Sequence, residues 1–201
     1  MIPKHWTPRY LIDRSREWWY QWQHPDAPWL GPQAVQTLDQ LLQPHMNGVE
    51  VGAGRSTSWI AKRVAALHSW EEQANWYQQV AQQLDRQNIR NVILTQAFER
   101  WVDYERLVQA IPEQSLDFAL VDSESNRSSL CLALWPKLRN GGFLMLDNAN
   151  WFLPSGSRSP NSRSPEQGPA TAEWAAFLAQ TAQARTLWTS SGVTDTAFFI
   201  R

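Results

Sequence analysis

The sequence predicts an α/β protein built on a doubly wound, mostly parallel seven-stranded sheet that closes with a C-terminal antiparallel hairpin. Three observations predict it. Short apolar runs alternate with helical-period segments from residue 49 to residue 146. Those runs, Leu116-Asp117-Phe118-Ala119-Leu120-Val121 above all, are close to continuously apolar, as strands covered on both faces are. At the end of the chain, Thr186 to Ser190 and Thr196 to Ile200 flank the turn residues Ser191 to Asp195, a hairpin pattern.

Taken in order, Met1 to Ala27 is aromatic and interrupted by Pro3, Pro8 and Pro25, and reads as an irregular arm over the domain. Pro32 to Leu42 carries Val35, Leu38, Leu41 and Leu42 at helical spacing, with proline in the first turn. Asn47-Gly48 is a turn into a strand at Val49 to Val51. A helix near Ser56 to Val64, a strand near Ala66 to Trp70, a helix near Asn75 to Gln87 and a strand at Val92 to Thr95 follow. A helix fits Tyr104 to Ala110, a strand Leu116 to Val121, and a helix Ser128 to Leu138 closed by Arg139-Asn140-Gly141-Gly142. Phe143 to Leu146 is the next strand. Residues 151–168, rich in Ser, Pro and Arg, read as a mobile loop before a helix at Thr171 to Ala184. The expectation is one domain over residues 1–201, with 1–27 as its arm.

At 201 residues the chain suits a single core of this class. A net charge of -1 argues against a nucleic-acid or anionic-membrane partner. The arginines Arg9, Arg14 and Arg16 among aromatics are too few to change that. No apolar run approaches the roughly 18 residues a membrane span needs, so a soluble, cytoplasmic protein is expected. The one cysteine, Cys131, lies in an apolar helical run and reads as a buried structural thiol. Thirteen tryptophans are many, and Trp6, Trp18, Trp19, Trp22 and Trp29 all precede residue 49. They suit a core, or a homodimer interface through the arm.

The chemistry centres on Val49-Glu50-Val51-Gly52-Ala53-Gly54-Arg55-Ser56-Thr57. A strand runs into two glycines and a helix, a turn that lets backbone approach a ligand. An acid about 20 residues on, at Glu71 or Glu72, stands where ribose hydroxyls are held. A dinucleotide fingerprint wants a third glycine where Thr57 stands, and Glu50 would repel a pyrophosphate. The same charge suits the cationic amino group of S-adenosylmethionine.

The stretch Glu50 to Trp59 resembles motif I of the class I S-adenosylmethionine-dependent methyltransferases, in the subgroup written E-x-G-x-G-x-S-T. Ser69-Trp70-Glu71-Glu72 through Trp76-Tyr77, Val121-Asp122, Gly141 to Asn148 and Pro28-Trp29-Leu30 are similar to that subgroup's other segments. The resemblance implies that Gly52 and Gly54, with Ser56 and Thr57 of the same motif, line the cofactor, and that Glu50 lies near its amino end. Glu71 would hold the ribose, with Glu72 competing if the strand ends one residue later. The usual acid for the adenine amino group is missing after the third strand, leaving Gln96 or Phe98 for that contact.

Asp122, Asp147 and Asn148 resemble the magnesium ligands of the catechol O-methyltransferase family, but Ser125 stands where that chemistry wants a lysine base. No tightly bound metal is therefore expected, with Asp122 orienting substrate or water instead. Asp122 and His24 are the candidate catalytic groups. Arg158 and Arg163 read as solvated loop residues. The expected activity is methyl transfer to an oxygen or nitrogen of a small molecule. A non-catalytic cofactor-binding or scaffold protein of the same fold stays open, since no base is evident. A nicotinamide-dependent oxidoreductase would want a Tyr-x-x-x-Lys helix, and none of Lys4, Lys62 and Lys137 follows a tyrosine at that spacing.

Overall fold

A computed structural model describes residues 7–97 and 100–201. Seven strands form one sheet in the order β3-β2-β1-β4-β5-β7-β6. They are β1 (Asn47–Val51), β2 (Ala66–Glu71), β3 (Val92–Gln96), β4 (Leu116–Val121), β5 (Leu138–Asp147), β6 (Arg185–Ser190) and β7 (Asp195–Ile200). Neighbours from β3 through β5 are parallel, and β7 runs antiparallel to both β5 and β6. The predicted doubly wound sheet with its terminal hairpin is the sheet observed. The strand order reverses between β1 and β4, which opens a crevice at their C-terminal ends.

Helices α2 (Pro32–Leu41), α3 (Arg55–Ala61), α4 (Ala74–Arg86), α5 (Trp101–Gln109), α6 (Arg127–Leu134) and α7 (Ala172–Gln180) cover the sheet. Strand alternation divides the core by face. Val49, Val51, Ala119, Val121, Leu144 and Leu146 pack under Tyr104, Leu130, Leu134, Trp174 and Phe177. On the other face Phe118, Leu120, Phe143 and Phe198 pack under Leu38, Trp59 and Ile60. Phe118 and Phe143 stack at 5.8 Å with neither more than 2% exposed. Phe118→Ala is expected to cost about 3–5 kcal/mol, read as a lower denaturant midpoint with the slope unchanged.

Three local readings are corrected. The N-terminal arm contains a regular helix, α1 (Pro8–Gln23), capped by the Thr7 hydroxyl on the Tyr10 amide. Pro8 is no breaker there, because an N–H at the first helical position would have no partner within the helix and φ already suits proline. The helix escaped the apolar-period reading because it packs inside out. Its inner side is the buried Glu17 with half-buried Tyr10, Asp13, Arg14, Tyr20 and Gln21, while Leu11, Ile12, Trp18, Trp19 and Trp22 are exposed. Gln21 donates to the Pro28 and Leu30 carbonyls at 3.1 Å each, and Ser191 Oγ donates to Glu17 at 3.3 Å, so polar bonds seat α1.

Second, β5 starts at Leu138, so residues 139–142 are strand rather than helix end, with a register shift in the β4 pairing between Leu116 and Phe118. Third, Arg163 is not a solvated residue. Its Nε donates to the Gly168 carbonyl at 2.7 Å, folding the 151–168 segment on itself. That segment contains a short 3-10 turn, Pro165–Gln167, and buried polar bonds anchor it. Ser159 Oγ donates to Asp195 at 2.5 Å, and Asn150 Nδ2 donates to the Pro160 carbonyl and to Ser162 Oγ at 3.0 Å each. Cys131 is fully buried, and burial pushes its thiol pKa up. Among the described residues no helix is long and apolar enough to cross a membrane.

Candidate active site

The site forms where β1 and β4 end. Gly52 leaves β1 with φ +97°, its amide bonded to the Trp70 carbonyl at 2.9 Å. A Cβ there would stand 2.6 Å from the Asp122 carbonyl oxygen, so this turn needs glycine for both reasons. Gly54 follows at the start of α3, and its amide donates to Thr57 Oγ1 at 2.9 Å. Thr57 Oγ1 in turn donates to Glu50 Oε2 at 2.6 Å, and Ser69 Oγ donates to the same oxygen at 2.6 Å. Glu50 is 1% exposed, and its other oxygen, Oε1, is buried with no hydrogen-bond partner among the described residues. Burial raises the Glu50 pKa against the lowering by the Ser56, Ser69 and Thr57 hydroxyls.

A cavity of about 420 Å³ opens above these residues. Glu71, the last residue of β2, lines it and accepts from the Gln73 amide at 2.8 Å, with its pKa also raised by burial. Glu72 lines it as well, but its Oε1 already accepts from Tyr104 OH at 2.6 Å and Ser125 Oγ at 2.9 Å. Beside the glycine turn the wall is aromatic. Trp29 and Trp76 stack at 6.1 Å, and Trp76 Nε1 donates to the Ala53 carbonyl. Arg55 lies 5.5 Å over Trp29 and donates to the His24 and Pro25 carbonyls, tying the end of the N-terminal segment to the glycine turn.

At the other end of the cavity Asp122 faces Arg127. Their closest approach is 3.0 Å. Burial raises the Asp122 pKa, and the guanidinium works against that rise. Asp147 Oδ1 accepts from Thr196 Oγ1 at 2.7 Å, and burial followed by the Asp122 charge pushes its pKa up. Arg127 also donates to the Asp147 carbonyl at 2.7 Å and to Asn148 Oδ1 at 3.1 Å. The Asp122, Asp147 and Asn148 set thus closes on a guanidinium and does not fit a divalent cation. Among the described residues no group of three or more His, Cys, Asp or Glu side chains gathers elsewhere as metal ligands.

The residues named from sequence divide accordingly. Glu50, Gly52, Gly54, Ser56, Glu71 and Asp122 line one cavity. Thr57 does not. It is fully buried behind Glu50 and works by bridging Gly54 to that carboxylate. Gln96, half-buried at the end of β3 in register with Glu71, also stands outside the lining. Phe98 lies outside the described residues. His24 is directed elsewhere. It caps α1, its Nδ1 is 3.0 Å from the Tyr20 carbonyl and its ring stacks on Tyr20, in a separate groove with Asp39 and Arg63. Arg55, Trp29, Trp76 and Arg127 are lining groups whose roles the sequence did not reveal, and each has at least one partner distant in the chain.

A family model for the methyltransferase domain matches residues 49–149, the glycine turn through the end of β5. No curated protein matches the chain by sequence at a significant level. Among solved structures, an O-methyltransferase from Bacillus cereus, crystallised with SAH, aligns over 100% of this chain and 93% of its own at 16% identity and a TM-score of 0.60. A provisionally assigned caffeoyl-CoA O-methyltransferase from Staphylococcus aureus aligns over 98% and 94% at 14% identity and 0.62. A SAM-dependent methyltransferase from Aquifex aeolicus aligns over 82% and 87% at 13% identity and 0.55. At these identities the likeness is one of fold. The family match spans half the sequence and contains the whole glycine-turn half of the cavity, and so the chain belongs to the class I S-adenosylmethionine-dependent methyltransferases.

Proposed function

We propose that the protein methylates an oxygen of a small molecule, with the cofactor along Glu50, Gly54 and Glu71 and the acceptor at Asp122. The observation that carries this reading is Glu50 Oε1, a carboxylate oxygen buried at the cavity wall without a partner among the described residues. A buried charge left half-satisfied is costly unless a ligand completes it. A cationic amino group on S-adenosylmethionine would do so. When bound, S-adenosylmethionine supplies a methyl group on a sulfonium, whose sulfur departs with the bonding pair.

The chain's own groups supply position and proton removal. Glu71, fixed by the Gln73 amide, is set to accept from two ribose hydroxyls. Trp29 and Trp76 form an aromatic part of the site wall. Asp122, at the cavity wall 3.0 Å from Arg127, takes the acceptor's hydroxyl proton as the new carbon–oxygen bond forms. The O-methyltransferases among the structural neighbours support oxygen as the acceptor atom, and a cavity of about 420 Å³ fits small ligands.

Calorimetry with S-adenosylhomocysteine tests the cofactor half. Glu71→Ala is expected to weaken binding by about 1.5–3 kcal/mol, the worth of hydrogen bonds to a charged group. Glu72→Ala should cost far less affinity. The reverse order would give the ribose to Glu72. For the acceptor half, labelled S-adenosylmethionine is incubated with a metabolite extract. Wild-type protein should pass label to an extractable small molecule and Asp122→Asn should not. Equal transfer by the two would remove Asp122 from the chemistry.

A further inference from the structure

Four oxygens from two neighbouring strand ends converge on one side chain at the acceptor end of the cavity. The Arg127 guanidinium donates from Nε to the Ser123 carbonyl, from one terminal nitrogen to the Asp147 carbonyl and Asn148 Oδ1, and from the other to Asp122 Oδ1. Backbone carbonyl, amide and carboxylate oxygens gathered this way are the donor types that a hard divalent cation takes. We propose that Arg127 is a built-in replacement for such a cation, holding the acceptor oxygen with a fixed guanidinium charge.

Charge and geometry both favour this. Asp122 is the carboxylate that Arg127 bonds directly, while Asp147 gives Oδ1 to Thr196. The guanidinium pairs with Asp122 at 3.0 Å and occupies the place between the four oxygens that an ion would need. Its side chain is 11% exposed and lies 5.7 Å from the Phe152 ring centre, which holds it in place. Four of its five N–H groups are used by the protein, and the fifth, on the nitrogen beside Asp122, is left for an oxygen in the cavity.

The consequence for specificity rests on the acceptor-site reading above. A metal ion can chelate two adjacent hydroxyls, but a single N–H beside a carboxylate holds one. The acceptor class is therefore a molecule offering a single acidic hydroxyl, such as a phenol or an enol, with no need of a vicinal diol.

Manganese alone tests the proposal, by paramagnetic resonance of the free ion. Wild-type protein should leave the free-ion signal unchanged. Arg127→Ala, which empties the centre of the four oxygens, should take up one Mn²⁺ per chain, and Asp122→Asn in that background should abolish the uptake. S-adenosylhomocysteine calorimetry on the same variants reads the cofactor end separately, so a failure there is distinguishable from a failure here. Arg127→Ser is the second variant. Should neither fold unaided, refolding with and without Mn²⁺ reads the same site, and recovery only with Mn²⁺ supports the proposal. Saturable Mn²⁺ binding by the wild type that Asp122→Asn removes would overturn it. So would Arg127→Ala and Arg127→Ser proteins that neither bind Mn²⁺ nor refold with it.

Discussion

Gly52→Ala is expected to destabilise the protein severely, while Gly54→Val leaves it folded and unable to bind the cofactor. The two glycines are two residues apart and do different work. At Gly52 the backbone has φ +97°, and a Cβ would lie 2.6 Å from the Asp122 carbonyl oxygen and 2.8 Å from its carbon. Strain of that kind costs about 1–3 kcal/mol by itself. The overlap adds to it, because Asp122 cannot retreat while its amide holds the Val51 carbonyl at 2.8 Å. Gly54 has φ -177°, extended backbone open to any residue, and a Cβ there meets nothing nearer than Trp76 Nε1 at 3.5 Å. A valine at Gly54 therefore adds its methyl groups to the cavity wall rather than to the core. Thermal unfolding and S-adenosylhomocysteine calorimetry separate the cases. A folded Gly54→Val protein with wild-type affinity would detach this turn from the cofactor, and a Gly52→Ala protein of wild-type stability would contradict the close approach of β1 and β4.

Glu50→Gln is expected to weaken cofactor binding by about 1.5–3 kcal/mol, or 10- to 150-fold, while leaving the ligand-free protein at least as stable near neutral pH. Both halves follow from one carboxylate. Its Oε2 is held by Thr57 and Ser69, hydroxyl donors that an amide oxygen would also satisfy. Its Oε1 carries charge into a buried site with no partner among the described residues. Burial raises the Glu50 pKa above its unfolded value, so the folded state binds the proton more tightly. The sign follows directly. Stability attributable to this group is greatest below the unfolded carboxylate pKa and falls as pH rises through the raised folded value. Glutamine removes that dependence. Denaturant unfolding across pH should show the wild type losing stability relative to Glu50→Gln as pH rises toward neutrality. Unaltered S-adenosylhomocysteine affinity in Glu50→Gln would end the assignment of Glu50 to the cofactor's amino group.

The alternation of apolar strands and helical segments was enough for the sheet, its hairpin and the glycine turn, because each depends on periodicity or turn chemistry within a few residues. Glu50, Glu71 and Asp122 were legible for a related reason. Each ends or closely adjoins a strand end, and parallel strands bring their C-terminal ends to one edge. Helix α1 was not legible, since period readings assume that apolar residues point inward and here Leu11, Trp18 and Trp22 point out. His24 and Thr57 show the opposite failure. Both are residue types with suitable chemistry, yet one is held against Tyr20 and the other is buried behind Glu50.

What the sequence determined by itself was the fold class, the methyltransferase resemblance and the strand-end acids. All of these are local patterns repeated along the chain. What only the tertiary structure decided is which partner each charge has. Asp147 gives a carboxylate oxygen to Thr196, 49 positions away, and Arg127 reaches the β5 end 20 positions on to stand among oxygens whose partner the sequence left open. An ion pair or hydrogen bond is fixed by distance in space, and no periodicity in the chain encodes it.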